Sequence, residues 1–428
     1  MRGSRWWLGA AGLLLAAKCG GPPPPAAPTA PAAPPNSLFG PPVRYEVDYW
    51  PRALAVGDLN GDGRPDFATV NDGKSRGDGG DASPLSLRGL ARRLTRNPQA
   101  DVGSATVWLG QGDGRFAERR DYPIGRFPMG LALTDLTGDG RPDLLTTGMD
   151  EANEALFYLL PGRRAAGGFG PPRTAPRTGI LDQADNLVVG DVNADGRPDV
   201  LTAAATETSG IQVRLTGPAG LPGAAVAYPN GPHYSPLSLR LRDVTGDGLP
   251  DAVLNHSADR GLDSATVVLP GRGGGAFGAP VVYAAMCGPS ALADVDGDGR
   301  PDLVAASARA VAVRRGGAGG FGPATTYPGL GYEANSLLVG DVNGDGRPDL
   351  LTTHADGKIA ADGSPGPAWL ALHLARPGGG WGPPATYPLG PFYAAQIRLA
   401  DVNSDGRPDL LALNHNTQTV QVQLNTGR

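Results

Sequence analysis

Short apolar runs alternate with glycine-rich polar turns along most of the chain, and the turns repeat. Nine-residue acidic segments begin at Asp58, Asp135, Asp191, Asp243, Asp294, Asp341 and Asp401, the first reading DLNGDGRPD and the fifth DVDGDGRPD. Apolar residues stand two and four positions before almost every one: Leu54/Val56, Leu131/Leu133, Leu187/Val189, Leu239/Leu241, Leu337/Val339 and Ile397/Leu399. Before the fifth, Ser290 replaces the outer residue and Leu292 is kept. Strict alternation predicts a strand. After each acidic segment a continuous apolar run such as Leu144–Leu145, Val200–Leu201 or Leu350–Leu351 predicts a second strand, buried on both faces. A third follows, as in residues 104–110, 264–271 and 419–425, and a fourth opens with an aromatic residue, as in 277–283, 321–327 and 381–387.

Four short strands per repeat, with repeats starting 47 to 77 residues apart, predict a β-propeller. The phase of the pattern predicts its closure. The fourth-strand motif first occurs at Phe39, ahead of any acidic loop, while the last loop is followed by only two further strands. The expected fold is all-β: seven four-stranded blades, the ring closed by the N-terminal strand joining the last blade, so that no sheet edge is left open. The 66 glycines and 43 prolines sit at fixed offsets between apolar runs, and therefore punctuate turns.

The acidic loops carry the chemistry. Aspartate stands at positions one, five and nine of every copy, glycine at six, and Asp, Asn or Thr at three. Oxygen-bearing side chains on alternate residues, with a glycine allowing a sharp turn, suit a hard divalent cation, since calcium takes about six to eight oxygen ligands. The bland alternative is that these aspartates cap turns. The formal net charge is −5, and 22 of the 42 acidic residues lie in the seven loops. Net charge therefore says little about partners.

The loops paired with Phe-Gly motifs over about residues 38–428 resemble FG-GAP/VCBS repeats, the blades of integrin α-subunit propellers and of many exported bacterial proteins. The resemblance implies calcium bound between the first and second strands of each blade, up to seven ions in all. The implied ligands are Asp58, Asn60, Asp62, the carbonyl of Arg64 and Asp66; Asp135, Thr137, Asp139, Arg141 and Asp143; Asp191, Asn193, Asp195, Arg197 and Asp199. They continue with Asp243, Thr245, Asp247, Leu249 and Asp251; Asp294, Asp296, Asp298, Arg300 and Asp302; Asp341, Asn343, Asp345, Arg347 and Asp349; and Asp401, Asn403, Asp405, Arg407 and Asp409. By carboxylate count the fifth loop is expected to bind tightest, and the threonine-bearing second and fourth more weakly.

Arg2 and Arg5, an apolar stretch from Trp6 to Ala17, and then Cys19 predict an export signal over residues 1–18. Cys19 followed by Gly20 and Gly21 resembles a bacterial lipobox, although Lys18 departs from the small residue expected there. Residues 19–36 read as a Pro/Ala-rich spacer and 37–428 as the propeller. The expected location is the cell envelope or outer surface as a lipoprotein, or secretion, with membrane contact only through a lipid at Cys19. With Cys287 the sole other cysteine, no internal disulfide is expected.

Variable loops on the face opposite the acidic ones are expected to carry specificity. Trp50, Tyr234, Tyr332 and Tyr393, with His256, His354 and His415, suggest a ligand-binding face where rings stack on sugars beside polar groups; packing at the rim is the alternative. Asn71, Asn255 and Asn414 fall in the same predicted loops. Residues 85–97 have the spacing of a short basic amphipathic helix, and Arg76-Gly77-Asp78 is a triplet that arises easily by chance. No nucleic-acid signature and no acid–base or nucleophilic set can be assembled. The expectation is a non-catalytic calcium-binding module, for adhesion to an extracellular glycan or protein. A polysaccharide-degrading lyase or hydrolase, or a scaffold for surface-protein assembly, are the alternatives.

Overall fold

A computed structural model describes residues 37–427 except 73–101, 151, 153, 164–167, 177–185, 205–209, 232–235, 257–263, 285–287, 308–309, 329–333, 356–366, 378–379 and 392–393. The export signal, Cys19, Cys287, the Arg-Gly-Asp triplet and the predicted basic helix lie outside the described residues. Among the described residues there is no α-helix, and no helix is long and apolar enough to cross a membrane.

Seven four-stranded antiparallel sheets form the blades of a propeller. Blade 1 comprises Pro51–Gly57, Asp66–Asn71, Gly103–Gly110 and Phe116–Ile124; blade 2 Leu131–Thr134, Asp143–Met149, Ala155–Leu160 and Arg173–Pro176. Blade 3 comprises Leu187–Gly190, Asp199–Ala204, Gly210–Arg214 and Val226–Pro229; blade 4 Pro236–Arg242, Asp251–His256, Ala265–Leu269 and Val281–Ala284. Blade 5 comprises Ser290–Ala293, Asp302–Ala306, Ala310–Gly317 and Gly320–Pro328; blade 6 Ala334–Gly340, Asp349–Ala355, Pro367–His373 and Ala385–Pro391. Blade 7 takes Ala394–Ala400, Asp409–Asn414 and Thr419–Gln423, and its fourth strand is the N-terminal Val43–Glu46. That strand pairs antiparallel with the third, Val43 opposite Val422 and Glu46 opposite Thr419. First strands touch in the order of blades 1 to 7, and the first strand of blade 7 touches that of blade 1.

The second strands are the most deeply buried, because each lies between two strands of its own sheet and under the neighbouring blades. Each seam between blades has its own apolar filling, for example Leu144, Tyr158 and Leu160 against Val70 and Val107. A repeated aromatic staple closes six seams. The fourth-strand tyrosine of one blade meets an aromatic residue of the next, in five cases the one before a glycine, edge to face: Tyr122–Phe169, Tyr228–Phe277, Tyr283–Phe321, Tyr327–Trp381, Tyr387–Phe39 and Tyr45–Phe116, at 5.2–5.6 Å between centroids. In several the tyrosine oxygen also accepts a backbone N–H, from Phe169, Phe321, Phe116 or Leu38. The N-terminal segment supplies both staples of blade 7, Phe39 toward blade 6 and Tyr45 toward blade 1.

Candidate metal-binding loops

Each acidic loop joins the first to the second strand of its blade, and the same hydrogen bonds shape all seven. The carboxylate at position one folds the loop around itself. Asp58 accepts N–H bonds from Gly61, Asp62 and Gly63 at 2.7, 3.1 and 2.8 Å. The bond from position six recurs in every copy, to Asp135, Asp191, Asp243, Asp294, Asp341 and Asp401. Every position-five aspartate accepts the N–H of position seven, as Asp62 does from Arg64 and Asp247 from Leu249. Those turns need left-handed backbone at positions four and six: φ is +77° at Gly61 and +81° at Gly63. Glycine adopts that conformation without steric cost. In loops 3 and 7, position four is instead Ala194 (φ +63°) and Ser404 (φ +60°).

Position nine differs. Its carboxylate is fully buried in all seven copies. One oxygen of Asp66 accepts the N–H of Leu59 at 2.8 Å, and the other accepts that of Gly110, the last residue of the third strand, at 2.7 Å. The pattern repeats with Asp143 and Gly162, Asp199 and Thr216, Asp251 and Gly271, Asp302 and Gly316, Asp349 and Ala375, and Asp409 and Asn425. This residue pins the first connection of a blade to the third. The sequence reading counted it only as a ligand, and missed position two, where Leu59, Leu136, Val192, Val244, Val342 and Val402 are buried. Its invariant apolar character was the available signal. Position two also reaches the next blade: Val192 O accepts the N–H of Gly275, and Val402 O that of Gly114.

Electrostatics separate the two ends of the loop. Burial pushes the Asp66 carboxyl up to about 6, against the amides of Gly110 and Leu59 and with help from the Asp62 and Asp58 charges. Asp199, Asp349 and Asp409 shift upward for the same leading reason. Asp195 is held low by the Asn193 side chain and the Arg197 amide. At Asp294 burial pushes upward, but the amides of Gly299, Gly297, Asp298 and Asp296 together pull it below the usual range.

These groups fit a hard cation. A carboxylate offers about four lone-pair sites, so the three amide bonds at Asp58 and the two at Asp66 leave capacity for a cation. In loops 2 and 4 the position-three hydroxyls of Thr137 and Thr245 are buried without a protein partner. Among the described residues, Asp294, Asp296 and Asp302 bring carboxylate oxygens within 4.8 Å of one another. Asn60, Asn193, Asn343 and Asn403 each turn the side-chain oxygen to the position-five amide and the NH2 to the position-five carboxylate. Arg64, Arg141, Arg197, Arg300, Arg347, Arg407 and Leu249 stand at the turn before the loop proline.

The expected ligand face divides. Tyr234, Tyr332 and Tyr393 lie outside the described residues. His256 and His354 are not loop residues: they lie in second strands and are 1 % and 2 % exposed. His256 Nε2 meets Asn230 at 3.1 Å; His354 bonds Thr352 at 2.8 Å and stacks on Trp369. Asn71, Asn255 and Asn414 likewise end second strands, buried. The reason is that the doubly covered strand runs further than its apolar stretch, its polar end satisfied by third-strand partners such as Thr106 for Asn71 and Thr266 for Asn255. Trp50 and His415 do come together at the seam of blades 7 and 1. Their rings stack at 5.8 Å, and Trp50 has φ +56°. The Arg52 guanidinium lies 5.7 Å over the indole and is fixed by Asp72 at 2.7 Å. Burial and the nearby Arg52 charge push His415 down to about 4, so its imidazole is neutral at pH 7.

The FG-GAP-like repeat family matches residues 96–146 and 294–352, and the FG-GAP repeat family matches residues 50–83. Among solved structures, BBS1N in complex with ARL6DN, soaked with lead, is similar over 93 % of this chain and 96 % of that one, at 9 % identity and TM-score 0.51. That likeness concerns the fold alone. No curated protein matches the sequence.

Proposed function

Since the chain is an FG-GAP-repeat β-propeller, we propose that it is an exported, calcium-stabilised binding module for an extracellular glycan or protein. The observation that carries the calcium part is the sevenfold repetition of one loop. In each copy, backbone N–H bonds set the carboxylates of positions one and five before any ion arrives. Positions one, three, five and nine would hold the ion with their side chains, and position seven with its carbonyl. The cation would supply charge neutralisation. Because each loop is tied to the third connection of its own blade by position nine, and in several places to the next blade by position two, neutralising it stiffens the seams as well as the turn. The chelated protein is expected to melt at lower temperature than the calcium-loaded one, read by calorimetry; identical melting curves reject the role of calcium.

For the ligand, the Trp50–His415 stack with Arg52 and Asp72 beside it supports an aromatic contact at the seam where the ring closes. An aromatic face flanked by hydrogen-bonding groups suits sugars, and a bulky residue held at positive φ costs energy that a functional placement explains. Export and a lipid at Cys19 belong to the same proposal. Glycan-array binding with and without chelator tests it. Retention without product release supports the module, release of shortened glycan supports an enzyme, and unchanged affinity in Trp50→Ala rejects this surface.

A further inference from the structure

Loop 5 is unlike the other six in two respects that meet at one atom. It alone carries a fourth carboxylate, Asp296, where the others have Asn or Thr. It alone has a charged residue just before the backbone N–H that binds position nine. That place is Leu109, Pro161, Leu215, Pro270, Leu374 or Leu424 in the other blades and Arg315 in blade 5. Nη1 of Arg315 lies 3.0 Å from Asp302 Oδ2 and 3.4 Å from Asp296 Oδ2. The two residues belong to the trio whose carboxylates bring oxygens within 4.8 Å of one another, with Asp294 as its third member. A cationic nitrogen thus bridges two of the carboxylates that would surround a metal ion.

Other loops have an arginine nearby, but differently placed. Arg141, Arg347 and Arg407 each reach the exposed position-five carboxylate of their own loop from position seven. None bridges positions three and nine. Position nine is the buried carboxylate, where desolvation makes a counter-charge most valuable.

We propose that Arg315 is a built-in cation that lets loop 5 keep its shape without a divalent ion, making it the weakest calcium site of the seven. The inference rests on reading the other loops as calcium sites. Asp302 Oδ2 already accepts the Val295 N–H as well as Arg315 Nη1, which uses both of its lone pairs, so the ion reaches that oxygen only when Arg315 swings out. Counting carboxylates alone ranks the loop first; including the guanidinium gives it the same formal charge as its siblings, with two ligands already engaged.

The experiment is a direct count of calcium bound per chain by equilibrium dialysis, on the full chain, for wild type, Arg315→Leu and Arg315→Gln. Leucine is the residue found at the same place in four other blades; glutamine keeps polarity without charge and stands in should leucine fail to fold. Both variants are expected to bind one more ion than wild type when calcium just saturates the other loops. In chelator, both are expected to melt below wild type, and calcium is expected to remove the difference. Equal counts and equal chelator sensitivity overturn the proposal while leaving the other loops as calcium sites. If no chain takes up calcium, the broader reading fails and this inference falls with it.

Discussion

The seam between blades 2 and 3 differs from the other six. Elsewhere a tyrosine meets an aromatic ring across the gap. Here the tyrosine position is Ala175 and the aromatic position Leu221, both in the local apolar cluster. The space is taken from another direction. Arg214, 4 % exposed, lays its guanidinium 5.5 Å from the centre of the Phe157 ring and donates to Gly223 O at 2.7 Å. Blade 5 has Arg314 at the equivalent place, donating to Gly322 O and lying over Tyr283, so there the arginine supplements a staple instead of replacing it. The staple is therefore one solution to filling a wedge between twisted sheets, and a buried cation on an aromatic face is another.

The largest effect comes from removing a staple at the closing seam. Tyr45→Ala leaves a void among Phe67, Trp108 and Phe116 and strips the acceptor from the Phe116 amide. It is expected to cost about 3–4 kcal/mol in urea unfolding. Ala175→Gly, at the equivalent place in the exceptional seam, is expected to cost about 1 kcal/mol or less. Equal losses would mean that the staples are decorative. Arg214→Ala should be the costly change at that seam, about 2–3 kcal/mol, because it removes packing and leaves the Gly223 carbonyl unpaired.

The position-nine pins ought to be indifferent to seam type, which makes them the control. Asp199→Ala in blade 3 and Asp349→Ala in blade 6 each strand two buried backbone N–H groups. Both are expected to lose about 2–3 kcal/mol. A pair differing by more than about 1 kcal/mol would show that seam and loop are coupled.

The pins also set a pH dependence whose sign separates the ion-free from the ion-bound protein. A carboxyl whose folded pKa lies above its unfolded value binds a proton more readily when folded, and so adds stability as pH falls. For Asp66 the window runs from about 6 down to the ordinary carboxylate value of about 3.8. In chelator, wild type is therefore expected to gain on Asp66→Asn as pH falls from 7 to 4. Calcium favours the anion and reverses the trend. Comparing the two proteins cancels the opposing groups, such as Asp195 and Asp345, whose values lie low. A gap that ignores pH in both conditions would contradict burial as the governing influence on this residue.

The ring was readable because its determinants are local and repeated. Alternation before each loop marks first strands, and the early motif at Phe39 announces the closure, since a strand at one end of the chain must belong to the blade that lacks one. What escaped was non-local or doubly encoded. The single letter at position nine stands for both a ligand and a pin. The buried ends of second strands, Asn71 and His256, are polar only because Thr106 on the third strand meets the first and Asn230 after the preceding blade meets the second, and no one-dimensional pattern contains those partners. Arg315 lies 13 residues beyond the aspartate it binds, on another strand. The Tyr–Phe motif was visible as a strand marker, but the crossing of seams was not, since the two residues belong to different repeats.

The smallest effect returns to blade 3, whose departures include the loop as well as the seam. Ala194 takes a left-handed conformation where five other loops have glycine, and Ser404 does the same in blade 7. A side chain at positive φ is strained by the contact of Cβ with the backbone, whereas glycine there pays only its greater unfolded-state entropy. Both residues are solvent-exposed, so neither substitution leaves a core void. Ala194→Gly and Ser404→Gly are each expected to add about 0.5 kcal/mol in chelator. Blades 3 and 7 are not neighbours, so the double variant should add about 1 kcal/mol. A loss at Ala194 alone would mean that its methyl group supports the turn, and since Val192 of the same loop accepts the Gly275 N–H of blade 4, the difference would lie toward the blade 3–4 seam and not the unusual one.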